Sequence, residues 1–121
     1  MVNPIKKRRW RSKPAIFKKY SIELADGFRI VAEYQWLPGK MKDFALVLIR
    51  PKGSAAGYDM ICRYDTAHDF AHFDLLNNEG RVVEKVAVPG NLSYKEAFLY
   101  AQDDLKKNYQ RYWQAYRASS F

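Results

Sequence analysis

The residues with most chemical potential are crowded into one stretch. From Gly57 to Leu76 the sequence GYDMICRYDTAHDFAHFDLL holds both histidines of the chain, His68 and His72, and its only cysteine, Cys62. Arg63, Asp65 and Asp74 lie among them. Such a set suits acid–base chemistry on RNA, which needs a base for the ribose 2′-OH, an acid for the leaving oxygen and a cation for the phosphorane. Histidine titrates near neutral pH and takes either proton role, and the planar fork of Arg63 suits a phosphate. His68 and His72 are therefore candidates for base and acid, with Asp65 or Asp74 orienting an imidazole. The pattern H-x3-H-x-D (His68, His72, Asp74) also offers two imidazoles and a carboxylate to a divalent metal. An extended strand, however, would hold the two imidazoles about 13 Å apart at roughly 3.3 Å per residue, so the loop would have to fold back. The plainest reading of the same residues is a polar sheet face held by cross-strand pairs. The sequence has no glycine-rich phosphate loop, no G-x-S-x-G turn and no CxxC pair, and no cofactor is expected.

Two strands must position these residues. In Asp59–Asp65, Met60, Cys62 and Tyr64 alternate with Asp59, Ile61, Arg63 and Asp65. In Phe70–Leu75, Ala71, Phe73 and Leu75 alternate with Phe70, His72 and Asp74. Successive strand residues point to opposite faces, so each segment has an apolar and a polar side. With Thr66–Asp69 as a four-residue loop, Asp65 pairs with Phe70, Arg63 with His72 and Ile61 with Asp74. That register gathers the apolar set on the buried side, and a one-residue slip would turn one strand's set toward water.

The remaining elements follow from similar signals. Tyr20–Ala25 alternates as a first strand, Asp26-Gly27 is a two-residue hairpin signal, and Phe28–Trp36 is the second strand. Pro38-Gly39 closes it, and Lys40–Lys42 form a polar connection. The apolar run Phe44–Ile49 suits a central strand or a subunit interface. Arg81–Val88 is the last strand. Ser93 and Glu96 form a capping-box pattern. Beyond them Ala97, Phe98, Ala101, Leu105, Tyr109, Tyr112 and Tyr116 recur at helical steps, a stripe that can lie across a sheet. The expected fold is α+β: a mainly antiparallel sheet of about six strands, with one long C-terminal helix packed on one face and a basic N-terminal arm. The other sheet face, carrying Arg63, His72 and Asp74, would be open. The expected division is an arm over residues 1–19 and a single domain over residues 20–121.

At 121 residues the chain is long enough for one core without staples. One cysteine excludes an internal disulfide framework, and a free thiol fits a reducing, cytoplasmic setting. No apolar run approaches a membrane span, and no apolar segment follows the basic start as in a secretory signal. The net charge of +8 lies wholly in the arm. Residues 1–19 hold eight basic residues and no acid, which leaves thirteen of each sign in the rest. Lys6, Lys7, Arg8, Arg9, Arg11 and Lys13 around Trp10 suit phosphate contact with base stacking. RNA, another polyanion or an acidic protein are the partners this arm suits; a solvated tail is the plain alternative.

The segment RYDTAHDFAHFD, with Arg63, Tyr64, Asp65, His68, His72 and Asp74, resembles the Tyr-Asp…His motif of the TumE-type family of small prokaryotic proteins, some of them encoded beside a DNA-binding antitoxin. The element order over roughly residues 20–117 is also similar. Between Asp65 and His72 this chain lacks the Gly and Lys richness of that motif, and its basic arm is longer. The resemblance implies a toxin of a toxin–antitoxin pair, acting on RNA, with an antitoxin-like protein partner and Arg63, Asp65, His68 and His72 as the carried-over positions. A homodimer through Phe44–Ile49 or the aromatic end of the helix is a further expectation.

Overall fold

The structure, a computed structural model, describes residues 15–53 and 57–118. These form an antiparallel sheet with strands in sequence order: β1 (Ile16–Glu23), β2 (Arg29–Leu37), β3 (Lys40–Pro51), β4 (Tyr58–Asp65), β5 (His72–Leu76) and β6 (Val82–Ala87). One helix, α1 (Tyr94–Ala118), follows. This is the α+β arrangement that the alternating strands and the helical stripe call for. Ile16–Lys19, assigned to the arm from sequence, are the first half of β1. The basic cluster Lys6–Lys13 lies outside the described residues, as does the side chain of His68.

The helix begins where the capping box puts it. Ser93 Oγ accepts from the Glu96 N–H at 3.1 Å, and Glu96 Oε1 accepts from the Ser93 N–H at 2.9 Å. Ala97, Phe98, Ala101, Leu105 and Tyr116 are buried against Ile30, Ala32, Phe44, Leu46, Leu48 and Cys62. Aromatic edges fill the seam: Phe98 meets Tyr34 and Phe44, and Phe28 meets Tyr109 and Trp113. Lys40–Lys42, expected as a connection, are already strand, because the Pro38-Gly39 turn is tight.

Two register features differ from the sequence reading. A bulge between Leu48 and Ile49 lets Leu48 pair with Cys62 but Ile49 with Met60. The extra residue reverses the alternation at the start of β4. Asp59 therefore faces the helix and accepts a hydrogen bond from Tyr116 at 3.0 Å, while Met60 is exposed and Ile61 is buried. The β4–β5 connection is also longer than four residues. It runs from Thr66 to Ala71, with a 3-10 turn at Ala67–Asp69, so Asp65 pairs with His72 and Arg63 with Asp74. Two residues added to the loop move the partners but keep the faces.

Candidate functional site

Arg63, Asp65, His72 and Asp74 meet on the sheet face away from the helix, as two consecutive cross-strand pairs. His72 Nε2 lies 3.0 Å from Asp65 Oδ1 and 3.6 Å from Asp74 Oδ2. Its Nδ1 lies 3.2 Å from the Phe70 carbonyl oxygen. Donation at both nitrogens together is possible only for the doubly protonated ring. Arg63 Nε donates to Asp74 Oδ2 at 3.1 Å and stands 3.7 Å from Asp65 Oδ2. Lys85, opposite Asp74 on β6, brings Nζ to 3.4 Å from Asp74 Oδ1.

The face expected to be open is closed at this point. His72 is 2% exposed and Asp74 1%. The Phe70 ring packs on His72 with centroids 5.2 Å apart, and Arg63 and Lys85 converge on Asp74. Burying the Asp74 carboxylate is costly unless cations and donors satisfy it. Arg63 donates to Oδ2, while among the described residues Oδ1 has no hydrogen-bond donor and only the Lys85 ammonium 3.4 Å away. Asp65 is the more accessible carboxylate, with a side chain 21% exposed; Arg63 is exposed to 36%.

Asp65 is fixed by the start of the loop. Its Oδ1 also accepts from the Ala67 N–H at 3.2 Å, an Asx-type bond. Thr66 is buried and ties the loop to β3: its N–H donates to the Phe44 carbonyl, and its Oγ1 accepts from the Phe44 N–H at 3.1 Å. Beside Asp65 lies a shallow cavity of about 610 Å³ whose walls include Phe17, Lys19, Ala45 and Thr66. Phe17 is strongly exposed there. The start of β1 lies at the same end of the sheet as this loop, because Phe17 pairs with Gln35 and Gln35 with Asp43. The chain thus enters β1 at the site's end of the sheet.

His68 belongs to the 3-10 turn by its backbone. Among the described residues no group of three or more His, Cys, Asp and Glu side chains is set to hold a metal ion. Sequence reasoning missed Lys85, whose place opposite Asp74 follows only from the β5–β6 register. It also missed a second polar cluster on the helix side. There Asp104 Oδ2 accepts from the hydroxyls of Tyr64 (2.6 Å) and Tyr112, and Oδ1 accepts from Asn108 Nδ2 at 2.7 Å. Burial first, and then the Asp104 carboxylate, push the Tyr64 and Tyr112 hydroxyls well above the usual tyrosine range. Burial pushes Cys62 up too, which leaves it an unreactive core thiol.

Among the described residues no helix is long and apolar enough to cross a membrane. Residues 9–121 match a family model described as Domain of unknown function (DUF7718). No curated protein and no solved structure matches the chain.

Proposed function

The chain belongs to the DUF7718 family, whose description assigns no activity, and we propose from the site alone that it is a toxin-like protein that cleaves RNA without a metal. The observation that carries this reading is the Asp65–His72 pair at 3.0 Å with the Arg63 guanidinium beside it. Asp65 is the partner a substrate reaches, so it takes the proton from the ribose 2′-OH as that oxygen bonds to phosphorus. It returns the proton to the 5′-oxygen as the P–O5′ bond breaks, leaving a 2′,3′-cyclic phosphate and a free 5′-OH. His72, buried behind it, is a positioning residue that holds the carboxylate. Arg63 contacts the phosphate, where a charge-assisted fork is worth most as negative charge builds. Phe17 offers a base a stacking face at the same cavity. The resemblance of RYDTAHDFAHFD to TumE-type proteins points the same way.

The test is incubation of the purified protein with mixed cellular RNA, with and without EDTA. Asp65→Asn keeps an acceptor for His72 and Ala67 but cannot take a proton. Arg63→Lys keeps the charge and loses the fork. Cleavage that survives EDTA and disappears in both variants, with unchanged circular dichroism, is the expected result. A folded wild-type protein that leaves RNA intact removes the reading.

A second reading has its own observation: every charge in the cluster is already partnered within the protein. Such a closed network suits a structural role. The protein would then be a non-catalytic module that contacts nucleic acid or an acidic protein through Lys6, Lys7, Arg8, Arg9, Arg11 and Lys13. Deleting residues 1–14 would abolish binding, Asp65→Asn would leave it unchanged, and affinity would fall steeply with salt as counterions are released.

A further inference from the structure

The positive side chains at the opposite edge of the helix form a second feature, independent of the His72 site. Where the Pro38-Gly39 turn meets the start of α1, two adjoining cavities of about 500 and 590 Å³ share Trp36, Met41 and Lys95 and so make one groove. Its floor and walls are apolar, with Ile16, Tyr20 and Leu99 exposed along it. Four lysines line it: Lys18, Lys40, Lys42 and Lys95. Among the described residues lining it, none is acidic. The two carboxylates adjacent in sequence to these lysines are not part of the lining: Glu96 accepts from the Ser93 N–H, and Asp43 lines the cavity beside Asp65. This contrasts with the His72 site, where each cation has a carboxylate beside it.

We propose that this groove binds an acidic protein segment carrying apolar anchor residues. Charge selects the sign of the partner: four cations without a local counter-charge favour carboxylates and steer them in. Shape selects a peptide over a nucleic acid. The exposed lining of Ile16, Tyr20 and Leu99 suits leucine- or phenylalanine-sized side chains. A stacked run of bases would need several free rings, and among the described residues the groove offers one. Tyr20 is exposed, whereas Lys95 Nζ lies 5.9 Å over the Trp36 ring, Tyr34 packs edge-on against Phe98 and Tyr94 against Phe44. The chain's own residues 6–13 are ruled out as the occupant by charge, because they are as basic as the groove.

The test uses a short fluorescein-labelled peptide alternating Glu with Leu and Phe, read by fluorescence anisotropy on the full chain. Two further probes are a Glu/Ser peptide and single-stranded oligouridine. The variants are Lys40→Glu with Lys42→Glu, and separately Leu99→Asp; these three residues are exposed, and an unchanged melting temperature certifies the fold. The expected result is binding of the Glu/Leu/Phe peptide, at least tenfold weaker binding of the Glu/Ser peptide, and a tenfold or greater loss in each variant. Asp65→Asn binds as wild type, which keeps this outcome separate from the fate of the RNA-cleavage reading. No binding, binding untouched by both variants, or oligouridine binding lost in the same variants each overturns the proposal; the last assigns the groove to nucleic acid.

Discussion

His72 stands directly opposite Asp65 in the β4–β5 ladder, with Nε2 3.0 Å from Oδ1, and the next pair on that face is Arg63 opposite Asp74. The two pairs alternate in sign, so each carboxylate has a cation or imidazole across from it and another two residues along its own strand. The carboxylates differ in depth. Asp74 is sealed, while its cations Arg63 and Lys85 keep contact with water.

That asymmetry predicts an order of mutational cost. Arg63→Ala leaves a sealed carboxylate with the half-exposed Lys85 ammonium at 3.4 Å and the His72 ring at 3.6 Å, and should cost about 3 kcal/mol. Replacing Asp74 as well, in Arg63→Ala/Asp74→Leu, removes the stranded charge and should restore most of that loss. Lys85→Ala, which removes a half-exposed ammonium 3.4 Å away, should cost less than about 1 kcal/mol. Urea unfolding of the three variants checks the order; a double variant less stable than Arg63→Ala would refute it.

Alkaline pH should loosen the helix through Tyr116. Burial, and then its bond to Asp59, push this hydroxyl from 10.0 up to about 12. The folded state holds the proton more tightly than the unfolded chain. The contribution is therefore complete below pH 10 and is lost as pH rises through about 12. Tyr116→Phe lacks this proton, so its stability should fall less steeply over the same window. Chemical denaturation at a series of pH values compares the slopes; equal slopes would mean that Tyr116 does not carry the effect.

How far the sequence could be read depended on what alternation can and cannot encode. The face assignment of Arg63, His72 and Asp74 survived a loop two residues longer than expected, because an even shift preserves the period of two. Their partners did not survive it: Thr66 draws the loop onto the Phe44 backbone, and Asp69 turns the chain with φ 70°. The bulge at Leu48/Ile49 left no trace in the pattern, since Ile61 is buried in the extra position and reads as an ordinary apolar strand residue. Burial of the cluster depended on Phe70 packing over His72 and on Lys85 meeting Asp74, a contact between residues far apart in sequence. The capping box at Ser93 was legible because its two bonds are local.

The Asp26-Gly27 turn was legible for a related reason, and it should be intolerant of a side chain. Asp26 has φ 60° and Gly27 φ 83°, both left-handed, and the Leu24 N–H closes the hairpin on the Phe28 carbonyl. A Cβ on Gly27 would meet Pro51 Cδ only at 3.8 Å, an ordinary contact, so the cost is backbone strain alone. Gly27→Ala should therefore lose about 1 kcal/mol, and Gly27→Asn, which tolerates this region, should lose less. Thermal unfolding that ranks Asn below Ala would show that space, not φ, sets the limit.

Asp104 offers the sharpest contrast between losing a charge and losing an acceptor. Its carboxylate accepts hydrogen bonds from Tyr64 on β4 and from Tyr112 further along the same helix, and the first of these pins α1 to the sheet. Asp104→Ala leaves two partly buried hydroxyls without that acceptor and should cost about 2–3 kcal/mol. Asp104→Asn keeps one carbonyl oxygen for them and should cost less. Both variants remove the negative charge that helps hold the two tyrosines protonated, so both should bring the ionisation of Tyr64 and Tyr112 to lower pH. Absorbance at the tyrosinate band, followed against pH in folded protein, separates the two effects. A titration that stays in place in Asp104→Asn while stability falls would mean that burial alone raises these hydroxyls, and that Asp104 acts only as a hydrogen-bond acceptor.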